Sequence, residues 1–254
     1  MGNQKVALVT GAGQGVGRAT ALRLAASGMA VAVNDVRIAP ATAVADEIIA
    51  GGGTAMPAPA DVTDYDGVGA MVRAVIDQFG RLDVLVNNAG NAGTDPRGWT
   101  MKSFWETEPD EWRPFFDVNL FGVMNCCRHV LPPMIERGEG GRIVSIVSDA
   151  ARTGEPRLEA YSAAKAGAAG FTRSLAKSVG RYDITANNIA LGTMWGDHYA
   201  AMAPDDLAKR MQPYLIRRPG KSEEVAALVA LLAGDDGAWI TGQTYPLNGG
   251  ISTS

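Results

Sequence analysis

Ser148, Tyr161 and Lys165 are the residues of this 254-residue chain best placed to do chemistry. The serine closes an apolar, β-branched run, RIVSIVS. The tyrosine follows thirteen residues later, four before the lysine. On a helix, positions i and i+4 share a face, so an ammonium group lies beside a phenol. A neighbouring cation favours the phenolate, lowers the phenol pKa and makes it a usable acid/base near neutral pH. Tyr–Lys pairs at this spacing are common on exposed helices. A glycine-rich first turn and Asn87-Asn88-Ala89-Gly90 upstream give this one its meaning.

Such residues need a scaffold, and the sequence alternates apolar runs with helical periods. Strands are predicted at Lys5–Thr10, Ala30–Asp35, Thr54–Ala60, Leu82–Asn87, Arg142–Ser148, Ile184–Ala190 and Gln243–Leu247. Helices are predicted from the glycine turn to Ser27, over Ala41–Ala50 and Asp64–Phe79, from Asp110 to Arg137 with a break near Pro114, and over Glu159–Val179 and Ser222–Ala233. Strands apolar on both sides and joined by such helices imply an α/β fold. The expected form is a doubly wound parallel sheet of about seven strands with helices on both faces, in one domain over 1–254. Two stretches without a period, 91–109 and 191–219, follow strand C-terminal ends, where open α/β sheets bind ligands. They are the expected substrate walls.

The first turn, Thr10–Gly17 (TGAGQGVG), departs from strict G-x-G-x-x-G spacing and uses Gly11, Gly15 and Gly17, with Gln14 and Val16 between them. The physics is unchanged: glycines let the backbone approach closely, and a helix N-terminus presents free N–H groups to a pyrophosphate. Asp35 ends strand two, 18 residues beyond Gly17. A carboxylate there accepts hydrogen bonds from a ribose and repels a 2′-phosphate. With the non-basic Gln14, it favours NAD over NADP as cofactor; Arg37 is the dissenting residue. Asp61 and Val62 end strand three, where they could flank the adenine, although Asp61 equally suits a helix N-cap region.

Net charge is −4 and no basic patch stands out, which argues against nucleic acid as a partner. Apolar runs stop short of the roughly 20 residues that cross a bilayer, so no membrane segment is expected. The first residues run straight into a strand-like segment, so no signal peptide is read and a cytoplasmic protein is expected. Cys126 and Cys127 are adjacent and have no second cluster; they read as small packing residues, with neither a disulfide nor a metal site.

TGAGQGVG, NNAG at Asn87–Gly90, Asn119 in DVNLFG, Ser148, and YSAAK at Tyr161–Lys165 follow one another along essentially the whole chain. In that order they resemble the short-chain dehydrogenase/reductase family of the common type of about 250 residues. The resemblance implies a Rossmann-type domain with seven parallel strands and hydride transfer between NAD and a secondary alcohol or ketone. It makes Tyr161 the acid/base and Ser148 the hydrogen-bond donor to the substrate oxygen. Lys165 would hold the nicotinamide ribose and depress the Tyr161 pKa, while Asn119 would position a relay water. Asn88, Ala89 and Gly90 would line the cofactor, with Gly192 and Thr193 beside the nicotinamide. Ser145 competes with Ser148, and the thirteen-residue gap selects Ser148. A small-residue helix, Ala160–Ala169, and the long helix before it imply a homotetramer. The family usually has Pro-Gly after strand six; Leu191 stands for the proline and is expected to loosen that turn. Asn248 stands where aspartate is common.

Trp99, Trp105, Trp195, Tyr199, His198, Met194 and Met202 suggest walls for an apolar alcohol. Arg152 and Arg157, just past the serine, resemble family members that act on 3-oxoacyl thioesters. They would meet a substrate carboxylate or phosphate, or else form a surface or interface ion pair. Three readings follow: an NAD-dependent secondary-alcohol dehydrogenase; a 3-oxoacyl-thioester (ACP or CoA) reductase using NADPH; and a non-catalytic dinucleotide-binding scaffold. The intact Ser148, Tyr161, Lys165 and Asn119 set argues against the last.

Overall fold

Four fully buried apolar residues, Val6–Val9, make the central strand β1, and their side chains alternate between the two faces of a sheet. The computed structural model describes residues 4–93 and 102–253, with the side chains of residues 197 and 198 outside the description. After β1 come α1 (Gly15–Ala26), β2 (Ala30–Val33), α2 (Ile38–Ala50), β3 (Thr54–Pro57), α3 (Tyr65–Phe79) and β4 (Val84–Asn87). Then follow α4 (Pro109–Phe116), α5 (Gly122–Arg137), β5 (Gly141–Ser148), α6 (Ala150–Thr153), α7 (Glu159–Val179) and β6 (Ile184–Leu191). The chain closes with α8 (Asp197–Ala200), α9 (Pro204–Met211), α10 (Ser222–Ala233) and β7 (Thr244–Leu247).

The seven strands form one parallel sheet in the order β3-β2-β1-β4-β5-β6-β7. Chain direction across the sheet reverses between β1 and β4, which opens a crevice at their C-terminal ends. Val6 and Leu8 face a core shared with α3, α5 and α7; Ala7 and Val9 face a second core under α1, α2 and α10. The Rossmann-type architecture expected from the sequence is present. Cys126 and Cys127 are both free and buried in the first core. Burial pushes the Cys126 thiol well up and that of Cys127 up to about 12, so both are inert at neutral pH.

Three short helices are not among the elements expected from the sequence: α6 lies between the predicted strand Arg142–Ser148 and the predicted helix Glu159–Val179, and α8 and α9 lie in the stretch 191–219; at four to eight residues they are too short to carry a period. The 110–137 region breaks at a wide π-type turn, Asp117–Phe121, and not at Pro114, which stays inside α4. The physical cause is Asn119. Its buried side-chain amide donates to the carbonyl of Phe115 at 2.9 Å, replacing a backbone partner in the helical ladder.

Candidate active site

The cofactor side of the crevice is a cleft of about 540 Å³ lined by Gly11, Gln14, Gly15, Val16, Gly17, Asp35, Asp61, Val62, Asn88, Ala89 and Gly90. Every residue in this half that the sequence singled out for the diphosphate, ribose and adenine therefore meets in one place. Gly15 begins α1 at φ +53°, and a Cβ built on it would touch nothing within 4 Å and would stand in the open cleft. The first N–H groups of α1 have no helical partners, so this cradle fits a pyrophosphate. Asn88 fixes the turn: its amide donates to the carbonyls of Thr10 at 2.9 Å and Gly11 at 3.0 Å, and Thr10 Oγ1 accepts the N–H groups of Asn88 and Ala89.

Asp35 is buried just beyond β2. One carboxylate oxygen accepts the N–H of Gly13 at 3.3 Å, and the other accepts the N–H of Arg37 at 3.0 Å. The Arg37 side chain is exposed and leans on this carboxylate at 3.7 Å. Asn34, which the sequence reading passed over, ties the β2 end to the carbonyls of Ala58 and Ala60. No spacing signal marks it. Asp61 ties the turn before α3 through Thr63, three residues ahead of the N-cap Asp64, and also lines the cleft.

Beside this lies a second cleft, also about 540 Å³, whose walls include Ser148, Tyr161, Gly192, Thr193, Tyr199 and Tyr214. Ser148 Oγ accepts the N–H of Ala150 at 3.2 Å, which leaves its own proton to donate. Ser145, its competitor, is fully buried and accepts hydrogen bonds from Asn87 and Thr172 within the core. Tyr161 packs edge-on against Phe115, with ring centroids 6.3 Å apart.

Lys165 does not line either cleft among the described residues. It is buried beneath them, and its ammonium donates to the carbonyl of Ile146 at 2.9 Å. Tyr161 and Lys165 thus both reach β5 from one face of α7. The expected electrostatic effect is corrected, however. Burial raises the Tyr161 pKa, and the group that opposes this rise is Ser148, through a hydrogen bond, not Lys165. Burial also pushes the lysine itself down to about 8. Asn119 Oδ1 and Lys165 Nζ lie 3.3 Å and 3.4 Å from the point that a Cβ on Gly90 would take. Asn119 also exchanges hydrogen bonds with the backbone of Asn91, accepting its N–H at 3.1 Å and donating to its carbonyl at 2.7 Å.

Several expected substrate walls lie elsewhere. Trp105 and Trp195 are exposed, and Met194 and Met202 do not line the cleft. Trp99 and the His198 side chain lie outside the described residues. Arg152, itself on the surface, binds the buried Asp149 carboxylate at 2.7 Å, which fits the ion-pair reading. Arg157 is exposed in the left-handed region at φ 69°, its N–H bonded to Glu159. The turn at Leu191 is tied to both neighbouring segments by backbone bonds. The Leu191 carbonyl accepts the N–H of Asp149 at 2.8 Å, and Gly192 donates to Leu247. Gly192 is needed there because a Cβ would stand 2.9 Å from the Cα of Asn248. Tyr214, unmarked by any spacing in 191–219, donates to Thr193 Oγ1 at 2.6 Å.

Fold and site together define a dinucleotide-dependent oxidoreductase, and comparison with known proteins agrees. Residues 5–206 match the short chain dehydrogenase family. The chain is 41% identical to the 3-oxoacyl-[acyl-carrier-protein] reductase of Synechocystis sp. over 249 residues, 97% of this chain and 96% of that one. Among solved structures, a 7α-hydroxysteroid dehydrogenase complexed with NADH and 7-oxo glycochenodeoxycholic acid superposes with a TM-score of 0.88, at 32% identity over 97% of this chain and 93% of that one. Acetoin dehydrogenase from Enterobacter cloacae superposes with a TM-score of 0.85, at 34% identity over 99% and 96%. The chain belongs to the short-chain dehydrogenase family. It is an NAD(P)-dependent oxidoreductase acting on CH–OH and keto groups. No helix among the described residues is long and apolar enough to cross a membrane.

Proposed function

We propose that the chain is an NAD-dependent dehydrogenase of secondary alcohols, with Tyr161 as its acid/base. The observation that carries this reading is the buried Asp35 carboxylate, held by Gly13 and Arg37 N–H groups at the ribose end of the cofactor cleft. A 2′-phosphate would meet a fixed negative charge there, and like charges brought together cost several kcal/mol. The NADH in the similar 7α-hydroxysteroid dehydrogenase supports the same choice.

When bound, the dinucleotide supplies the hydride acceptor. Gly11, Gly15 and Gly17 and the α1 N-terminus hold its diphosphate, Asp35 holds the adenosine ribose, and Asp61 and Val62 flank the adenine. Asn88, Ala89, Gly90, Gly192 and Thr193 line the remainder. Tyr161 takes the hydroxyl proton of the substrate as its phenolate, a form that the positive charge of a bound oxidised nicotinamide would favour. Ser148 donates a hydrogen bond to that same oxygen as it becomes a carbonyl. Lys165, whose ammonium lies beside Gly90 under the cofactor cleft, would hold the nicotinamide ribose and, with Asn119, pass the proton toward solvent. The chain works as a homotetramer in this reading, supported by exposed Phe121 at the end of the wide turn, exposed Met124 on α5 and the small residues of α7.

Replacing Asp35 by serine is expected to move the ratio of kcat/KM for NAD to that for NADP roughly a hundredfold toward NADP. The ratio is measured with cyclohexanol and, in the reductive direction, with acetoacetyl-CoA. A wild-type preference for NADP would overturn the reading. Faster turnover of acetoacetyl-CoA would favour the second reading, 3-oxoacyl-thioester reduction, which the 41%-identical reductase supports.

A further inference from the structure

The residue after Ser148 is a buried carboxylate that the reaction does not use. Asp149 is only 4% exposed. One of its oxygens accepts from Arg152 at 2.7 Å; the other accepts from Asn248 Nδ2 at 3.1 Å and from Ser252 Oγ at 2.8 Å. Its N–H donates to the carbonyl of Leu191 at 2.8 Å. One residue therefore joins three pieces of chain: its carboxylate ties the turn from β5 into α6 to the segment after β7, and its backbone N–H ties that turn to the end of β6. That segment is itself internally tied. Asn248 Nδ2 reaches Ser252 Oγ at 2.9 Å, and Asn248 Oδ1 accepts the N–H of Gly250. Asp149, Ala150, Ile251 and Ser252 all line the substrate cleft.

A carboxylate taken out of water is costly unless its partners replace the lost solvation. Here a cation, an amide and a hydroxyl do so. Because Asn248 donates to Asp149, an aspartate at 248 would set two carboxylates face to face. The turn they hold is the one whose Ala150 N–H bonds Ser148 Oγ. We infer that Asp149 is a positioning residue: it aims the Ser148 hydroxyl and clamps residues 248–252 against the cleft as a substrate wall. The inference rests on the role given to Ser148 above.

The test is a double-mutant cycle with a structural readout beside it. Asp149→Asn should lower kcat for cyclohexanol or acetoacetyl-CoA about a hundredfold, as a displaced catalytic group does, with NADH affinity by fluorescence titration unchanged. Asn248→Asp should also lower kcat. In the Asn248→Asp background, however, Asp149→Asn should raise kcat, a reversal of sign that simple loss of packing does not produce. Independently, Ser252→Ala should speed hydrogen exchange of the 148–153 backbone, and Ser252→Thr, which keeps the hydroxyl, should restore protection. Losses that add in the cycle, or exchange at 148–153 indifferent to Ser252, would overturn the inference. If the wild type turns over neither probe, the proposed substrate class fails, while the exchange arm still decides the clamp.

Discussion

The two clefts, which adjoin at Asn91 and Ala92, are built in different ways. The cofactor side takes its walls from the ends of β1, β2, β3 and β4, each followed by a short contiguous stretch. Its geometry is fixed largely by backbone groups: Asn88 on the carbonyls of Thr10 and Gly11, and the Gly13 and Arg37 N–H groups on Asp35. The substrate side draws on five separated pieces, at 92 and around 148–161, 191–193, 199–214 and 251–252. Much of its hold is side chain to side chain, as in Tyr214–Thr193 and Asp149–Ser252. A scaffold of strand ends can carry one chemistry unchanged, while loops tied by a few side-chain bonds can be refitted for another substrate.

That contrast can be broken first on the substrate side. Tyr161→Phe keeps the ring against Phe115 but removes the acid/base, so kcat should fall about a thousandfold or more. NADH binding, measured by fluorescence titration, should persist because the glycine-turn cleft is untouched. Substantial turnover by this variant would remove the tyrosine from the mechanism.

A second experiment probes the buried lysine beneath both clefts. Folded Lys165 gives up its proton near pH 8, whereas an unfolded chain holds it to about pH 10.4. Between those values the unfolded state binds more protons, so stability rises with pH. Tyr161 acts in the opposite sense only above its ordinary value of about 10, because its folded pKa is raised. Urea melts of the cofactor-free protein should therefore show wild type gaining on Lys165→Met from pH 8 to pH 10. Parallel curves would contradict the burial argument.

The smallest expected effect sharpens the comparison. Tyr214→Phe deletes a bond worth about 1 kcal/mol, so kcat/KM should drop roughly fivefold. The preference between NAD and NADP should not move, because Asp35 lies in the other cleft. A changed preference would mean that the two halves are not separable.

The cofactor half was legible because its residues are contiguous and their types are dictated locally: glycine in the first turn, a carboxylate after β2, asparagine and glycine after β4. Ser148 and Tyr161 were legible because strand β5 and helix α7 fix their spacing. Asp149, Asn248 and Tyr214 carried no such signal. Their partners lie 99 and 21 residues away, and only the folded sheet brings them together. The mistaken reading of the Tyr161 pKa has the same root. Helical spacing says which residues share a face, but it does not say that the ammonium turns to the Ile146 carbonyl.

The wide turn at Asp117–Phe121 has a mechanical consequence. A regular helix advances about 100° per residue, so altering the residue count within that turn resets the angle between α4 and α5. On one side of the joint, Phe115 is aimed at Tyr161; on the other, Val123, Cys126, Cys127 and Val130 are aimed at the core. A single-residue deletion between 117 and 121 would swing that inner stripe toward water while leaving composition and helix length almost unchanged. A short insertion or deletion should therefore be far less tolerated there than in the outer turns of the same rod.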